Sequence, residues 1–599
     1  MQKKIIFIYL IILLSTLLGK LIWVKIYIPY PENIETHNAN NFFYKQHPMT
    51  DFLRFIAFVT IPLFLSLLIF LKIKFFNLNN LNFILKDDVN EKLESSDNTL
   101  KLFFFFIFLL IIIDFLCLKL NYQKVDIFHE GQTLSASLNS IIKSEFFLSS
   151  KVYVGFFYEI LSGILSKKIF GELKISNLRL FFEFINFITL LFFLLLIYKI
   201  SHYQNFNENK KLIFFIVLSF LAVFFFKGNS LNFRDFPSIL FLIVLFLYLH
   251  SKNKIYILFL GFLLPVSFFY SIDRAVFINF CSFFFLTFLI IKKKKSEILL
   301  FIISLFLVWF LIYAIAGNQE FKLFLQDTFF VLQHSGWIQD IPYPTPFTNE
   351  DNSTRGTKAL LYCILSGLII LHIFLTKNLI QNELKYFYLF YFILSILNFS
   401  TALSRSDGPH IRYVESFQFL FFLILVMSII LNYEIKIFRN YFLTKFNNKL
   451  KILFLIVLFF LIFKTDLTKL KNISRFFEYK NLDNNFFLTK DQILLVSKLK
   501  PIIHDEKCVQ IFTHETGLSY LLNKPSCSRN YKIFTIGTVE NQKKYINDIK
   551  NNANYIIADG NYWLDISNPK VYYPIVNRFI ENNYKLDFKV LEWSIYKKK

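Results

Sequence analysis

The sequence predicts an α-helical polytopic membrane protein with a small α/β domain after its last span. Three observations predict it. Of 599 residues, 55% are hydrophobic, 82 are Phe and only 18% are charged, a composition too apolar for a soluble fold. Apolar segments approaching span length recur along the chain up to about residue 465. From about 466 the texture changes to short β-branched runs between helical stretches.

A spanning helix needs roughly 20 largely apolar residues, and about 13 segments qualify: 5–24, 52–71, 102–118, 178–198, 211–226, 236–250, 255–270, 275–291, 298–316, 359–376, 385–400, 415–432 and 450–465. Met1-Gln2-Lys3-Lys4 precedes the first. No small-x-small cleavage site follows it, so it reads as a membrane helix rather than a removed leader. With the N-terminus on the cytoplasmic side and strict alternation, the loops holding Lys72/Lys74, Lys210/Lys211, Lys252/Lys254, Lys292 to Lys295, Lys377/Lys385 and Lys436/Arg439/Lys445 all fall inside. That satisfies the positive-inside rule. The formal charge of +23 is thereby explained by orientation, and nucleic acid is not an expected partner.

The same alternation places the chemically varied loops outside. The first large one, about 119–177, opens with Lys124-Val125-Asp126-Ile127-Phe128-His129-Glu130-Gly131-Gln132 and continues half-apolar to Arg179. Within it, Val152 to Leu165 spaces its apolar residues around Tyr158 and Glu159 as an interfacial helix does. Arg234-Asp235 and Asp273-Arg274 stand at the outer ends of two spans. A second large loop, about 317–358, holds Asp327, His334, Trp337, Asp340 and the stiff run Ile341-Pro342-Tyr343-Pro344-Thr345-Pro346. Ser404-Arg405-Ser406-Asp407-Gly408-Pro409-His410-Ile411-Arg412-Tyr413 is the densest polar run between spans.

Charges beside spans are paired or functional. Asp126 is the first candidate for a general base, with Glu130 second, on one face if the stretch is helical. His129 is a candidate either to orient one of them or to bind a ligand. Arg234, Asp235, Asp273, Arg274, Arg405, Asp407, His410 and Arg412 are candidates for binding substrate, the arginines because their forked donors match phosphate oxygens. The plainer reading of the two Arg/Asp doublets is structural ion pairing. There is no Walker loop, dinucleotide glycine fingerprint, HExxH or CxxC. Of the five cysteines, Cys117, Cys281 and Cys363 lie in apolar spans. Cys508 and Cys527, in a domain expected outside the cytoplasm, are candidates for a disulfide.

The order of these parts resembles the GT-C class of membrane glycosyltransferases, the group that includes protein O-mannosyltransferases and lipid A aminoarabinose transferases. The resemblance rests on Asp126 with His129-Glu130-Gly131 in the first large outward loop, a partly amphipathic stretch ending Ile169-Phe170-Gly171, and a span beginning near Arg179. The run Tyr520 to Arg529 is also similar to tails of bacterial members. The chain departs from the class in that its acidic loop follows the third span, with Glu32, Glu35 and His37 after the first.

The resemblance implies a transferase in a bacterial inner membrane that uses a polyprenyl-phosphate-type lipid donor, with Asp126 as base. The acceptor would be a glycan, lipid or protein. No cofactor is required, and a divalent metal is compatible. The alternatives are an O-antigen ligase or polymerase using a polyprenyl-diphosphate donor, and, in another class, a transporter or non-catalytic scaffold.

Overall fold

The computed structural model describes residues 2–30, 47–72, 98–116, 120–227, 233–339, 341–376, 379–432, 473–560 and 572–599. Its helices are α1 (Gln2–Lys25), α2 (Pro48–Lys72), α3 (Asn98–Leu116), α4 (His129–Lys143), α5 (Ser162–Phe170), α6 (Ile175–Tyr203), α7 (Glu208–Lys227), α8 (Phe236–Ser251), α9 (Ile255–Tyr270), α10 (Ile272–Ile291), α11 (Lys295–Gln339), α12 (Ser353–Leu375), α13 (Asn382–Ser404) and α14 (Gly408–Asn432). Among the described residues nine helices are long and apolar enough to cross a membrane, and segments of α3 and α9 are apolar but shorter. Twelve of the 13 expected spans coincide with helices; 450–465 lies outside the described residues, as do Glu32, Glu35, His37, Cys117, Asp340 and the 436–445 cluster. Side chains such as Leu102, Phe105, Phe283, Phe306 and Ile315 stand exposed on these helices, as a bundle solvated by lipid requires.

Short connections turn the chain back between consecutive long helices from α6 to α14. The polar runs 120–174, 233–235, 271–274, 341–352 and 405–407 therefore share one end of the bundle, and Lys292 to Lys295 lies at the other. Long-range contacts agree: Arg274 bonds Thr401 at 3.1 Å, and Ile341 pairs with Arg405 in a parallel bridge.

The expected loop 317–358 is largely helical. α11 continues to Gln339 across a break at Gly317, whose φ of 78° and ψ of 165° are a conformation only glycine adopts readily. Beyond the break, Glu320 accepts backbone N–H bonds from Phe146, Phe147 and Leu148 at 3.0, 2.5 and 3.0 Å. Asp327 accepts from Val152 and binds Arg529 at 2.8 Å. Asp327, expected in a loop, and Glu320 thus fasten the first large loop. The proline run is extended as expected, its Tyr343 N–H donating to Asp51 at 2.6 Å.

After α14, the described chain resumes with α15 (Ile473–Lys480) and α16 (Lys490–Ile502). There follow β1 (Gln510–Phe512), α17 (Leu518–Leu521), α18 (Val539–Asn552), β2 (Tyr555–Asp559), α19 (Pro574–Asn583), β3 (Tyr584–Val590) and β4 (Trp593–Lys598). The strands form one sheet in the order β1-β2-β4-β3, with β1 and β2 parallel and the rest antiparallel. Alternation along the strands sends Phe512, Ile556, Ala558 and Tyr584 to one face, where they pack with Tyr545, Ile549, Val576 and Ile580. The opposite face, Ile511, Tyr555, Ile557, Trp593 and Ile595, shares a core with Val125, Ile127, Leu134, Leu138, Ile175 and Leu178. The C-terminal sheet is therefore completed by the first loop and by the start of α6. Cys508 and Cys527 are joined by a disulfide, their Cα atoms 5.1 Å apart.

A single π-helical turn, Phe157–Leu161, precedes α5. Such turns displace carbonyls from the regular ladder. Here Tyr158 accepts from the Thr133 and Ser162 hydroxyls, and Ile160 from Ser137. The turn points Glu159 inward, fully buried. Its carboxylate takes the backbone N–H groups of Tyr153 and Val154 and pairs with Lys532 at 2.6 Å.

Removing one member of a buried pair strands the other. Lys532→Met is expected to destabilise the protein by about 3–5 kcal/mol, and the double change with Glu159→Gln to recover much of that loss. Thermal unfolding of the detergent-solubilised chain measures both; equal losses in the single and double variants would show that the pair is not coupled.

Candidate functional site

Asp126 sits in the turn entering α4, not on the helix itself. Its Oδ1 accepts the backbone N–H groups of Phe128 and His129 at 3.0 and 2.9 Å, while Glu130 accepts the N–H of Asp126 at 2.8 Å. This reciprocal arrangement satisfies donors that a helix start otherwise leaves open. The expectation that Asp126 and Glu130 share a helical face is thus replaced by a capping turn that ties them together. Oδ2 of Asp126 meets His129 Nδ1 at 2.7 Å, and both side chains are about half exposed (47% and 51%). Burial would raise the Asp126 pKa, but the hydrogen bond and charge of His129, with the two N–H donors, hold it below the usual carboxylate value.

Glu130 has a different role. Arg179 grips it in a fork, Nε to Oε1 at 2.5 Å and Nη2 to Oε2 at 2.7 Å. The remaining guanidinium donors go to the carbonyls of Asn121, Gln123 and Lys124. Engaged in this way, Glu130, the second candidate base, fastens the loop to the start of α6.

The turn is backed by the C-terminal domain. Gly517 N–H donates to Ile127 O at 2.9 Å, Ser135 Oγ to Thr516 O at 2.7 Å and Thr516 Oγ1 to Phe128 O at 3.2 Å. A Cβ on Gly131 would lie 2.5 Å from the Gly517 nitrogen, so this crossing admits only glycine. Phe128 stands edge-on to His129, His514 and Phe534. Burial lowers the His514 pKa to about 4, which keeps that ring neutral.

The other expected residues fall into two groups at the same end. Arg234 pairs with Asp273 at 2.8 Å, and Arg274 with Asp235 at 3.0 Å and Asp273 at 3.4 Å. The two doublets thus interlock across α8 and α10, as their plainer reading held. In the second group, Asp407 joins Arg405 at 2.6 Å and His410 at 2.5 Å. Burial alone would raise the Asp407 carboxyl, and its bonds to His410 with the charge of Arg405 bring it well below the usual range.

Arg412, from the same run, is in neither group. It is exposed and lines a cavity of about 380 Å³ with Arg355, Lys358 and Glu415. Tyr158 lies between α4 and the turn that carries Arg234, its carbonyl accepting from Thr133 and its ring stacked on Phe233 at 5.7 Å. Burial pushes its phenol up to about 12, within reach of the charges of Arg234, Glu159, Glu130 and Asp126.

Arg179, Glu159, Lys532, Arg355 and Lys358 were not singled out as site residues from the sequence. Arg179 alone had a signal, a lone arginine opening a span that needs a buried partner. Among the described residues no group of three or more His, Cys, Asp or Glu side chains is arranged to hold a metal ion. No protein-family model matches the chain, and no curated protein matches it.

Because the fork and the carbonyl donors use the planar guanidinium, lysine is a poor replacement. Arg179→Lys and Arg179→Met are both expected to lower the melting temperature by several degrees, as loss of a buried hydrogen-bonded charge partner does. Asp126→Asn is expected to change it little, since asparagine caps a helix as well as aspartate. Melting curves of the three variants check the ordering, and a stable Arg179→Lys would remove the fastening role.

Proposed function

We propose that this chain is a membrane glycosyltransferase of a bacterial inner membrane, moving a sugar from a polyprenyl-phosphate-type lipid donor to an acceptor hydroxyl at the outer face. The observation that carries the reading is Asp126: a half-exposed carboxylate, held ionised and oriented by His129, at the rim of an apolar helical bundle. A lipid-borne sugar and a water-borne acceptor meet at such a rim. The lysine-rich opposite end supports an N-terminus inside and a C-terminal domain outside, and the Cys508–Cys527 disulfide fits an oxidising compartment.

In this reading Asp126 Oδ2 takes the proton of the acceptor hydroxyl as its oxygen bonds the anomeric carbon. The bond from that carbon to the lipid phosphate breaks, and the phosphate leaves with the electron pair. A low carboxylate pKa makes Asp126 a weak base, but it keeps the group ionised throughout the physiological range. His129 is a positioning residue. Arg234, Arg274 and Arg405 are engaged by carboxylates, so among the four arginines expected at the phosphate only Arg412 lacks an ion pair among the described residues. The ligase-like alternative with a diphosphate donor draws on the compact Arg405–Asp407–His410 group.

Cells lacking the protein, rescued with wild type or Asp126→Asn, separate these readings by mass spectrometry of surface glycans. Wild type is expected to restore a missing sugar, and Asp126→Asn, at equal membrane abundance, to lower transfer by about 100-fold or more. Full rescue by Asp126→Asn with none by His410→Ala would favour the ligase-like enzyme, and unchanged glycans on deletion would remove the transferase reading.

A further inference from the structure

The cavity beside Arg412 has a chemistry of its own. Along α12, Arg355, Lys358 and Tyr362 recur at helical spacing on one face. Along α14, Arg412, Glu415, Ser416 and Phe419 do the same. Both helices begin at this end of the bundle, so the two rows run inward together. Arg355 and Arg412 stand at the mouth, and the Tyr362 and Phe419 rings lie about 10 Å deeper, seven residues at about 1.5 Å each. Those rings pack at 5.0 Å, and Phe225 from the end of α7 closes on Phe419 at 5.7 Å.

The mouth is cationic beyond what the protein neutralises. Three cations face the single carboxylate of Glu415, which approaches Arg355 at 3.7 Å. Arg355 also donates to the Gly408 carbonyl at 3.2 Å, bracing α12 against α14. Lys358 and Arg412 are exposed and have no hydrogen bond or ion pair from their side chains among the described residues. Two helix N-termini add positive potential at the same point. Unneutralised cations at the edge of an apolar bundle are costly unless something pairs with them.

We propose that this cavity binds the phosphate-bearing headgroup of a membrane lipid, with Arg355, Lys358 and Arg412 on the phosphate oxygens and the aromatic wall against the first carbons of the lipid tail. The inference deepens the reading above at Arg412. It does not depend on sugar transfer: among the described residues no hydrogen bond or ion pair joins these side chains to Asp126 or His129. The shared ligand chemistry is a phosphate ester, whether a bilayer phospholipid or a prenyl phosphate, and net charge two positive at the mouth suits either.

The test is native mass spectrometry of the full chain in detergent, titrated separately with phosphatidylglycerol, farnesyl phosphate, diacylglycerol and inorganic phosphate. Wild type is expected to retain the phosphatidylglycerol or farnesyl phosphate adduct and not diacylglycerol, and whichever of the two binds more tightly identifies the source. Lys358→Gln and Arg412→Gln are each expected to weaken that adduct about tenfold, the loss of one charged hydrogen bond. Phe419→Ala is expected to weaken it as well.

A control removes three charges elsewhere, Lys292→Gln with Lys293→Gln and Lys294→Gln, and is expected to leave binding unchanged. Equal loss in that control, equal binding of inorganic phosphate, or undiminished binding by Lys358→Gln and Arg412→Gln variants that elute as folded protein would each overturn the proposal. Lipid binding lost in these variants while surface glycans stay normal would keep the site and detach it from the transfer reaction. Lipid binding intact with the glycan test negative would leave the site standing while the transferase reading fails.

Discussion

The fork between Arg179 and Glu130 holds the polar end of the bundle together. One guanidinium closes on a carboxylate through two charge-assisted bonds and on three backbone carbonyls, and its face lies 5.0 Å from the Phe487 ring. It joins the start of a long apolar helix, the loop before it and the C-terminal domain at one atom group. Glu130 also sets the backbone of Asp126, whose N–H it accepts. The Asp126 side chain stands about half exposed, whereas Glu130, four residues on, is largely covered by Arg179.

The polar elements at this end are fixed by different means. The acidic turn rests on hydrogen bonds and a glycine crossing. Gly155 settles the π turn against the bundle: a Cβ there would come within 2.4 Å of the Tyr270 carbonyl, and Val154 O accepts the Ile272 N–H at 2.8 Å. That contact seats the first loop at the beginning of α10, where Asp273 and Arg274 begin their ion-pair lattice. Loop and lattice are neighbours because two backbones touch.

Much of this was legible in the sequence, for a local reason. Apolar runs of span length, the lysine bias between them and the Asp126-His129-Glu130 cluster are each contained in a short window, and windows report periodicity and charge well. Pairing between windows is not in them. Arg234 and Asp273 read as separate charges 39 positions apart, although ion pairing was one reading of the doublets. Lys532 meets Glu159 across 373 positions, with nothing local to mark it. The helix that follows the break at Gly317 was hidden by its polar residues and by the glycine itself, whose non-helical backbone joins two helical segments. The change of texture near 466 does not divide the hydrophobic core, which joins the first loop to residues from Tyr479 onward.

That shared core has a consequence for how the chain is made. α4 is buried along Gly131 to Ser140, with Ser135 bonded to a residue 381 positions later and Asn139 to one 387 positions later. During synthesis the acidic turn therefore emerges hundreds of residues before the segments that complete it, and no nascent chain holds a finished turn until the last sixth is made. A ribosome that stops before these segments releases a bundle with an unfinished rim, so any activity seated there needs the stretch around Thr516 and Ser526.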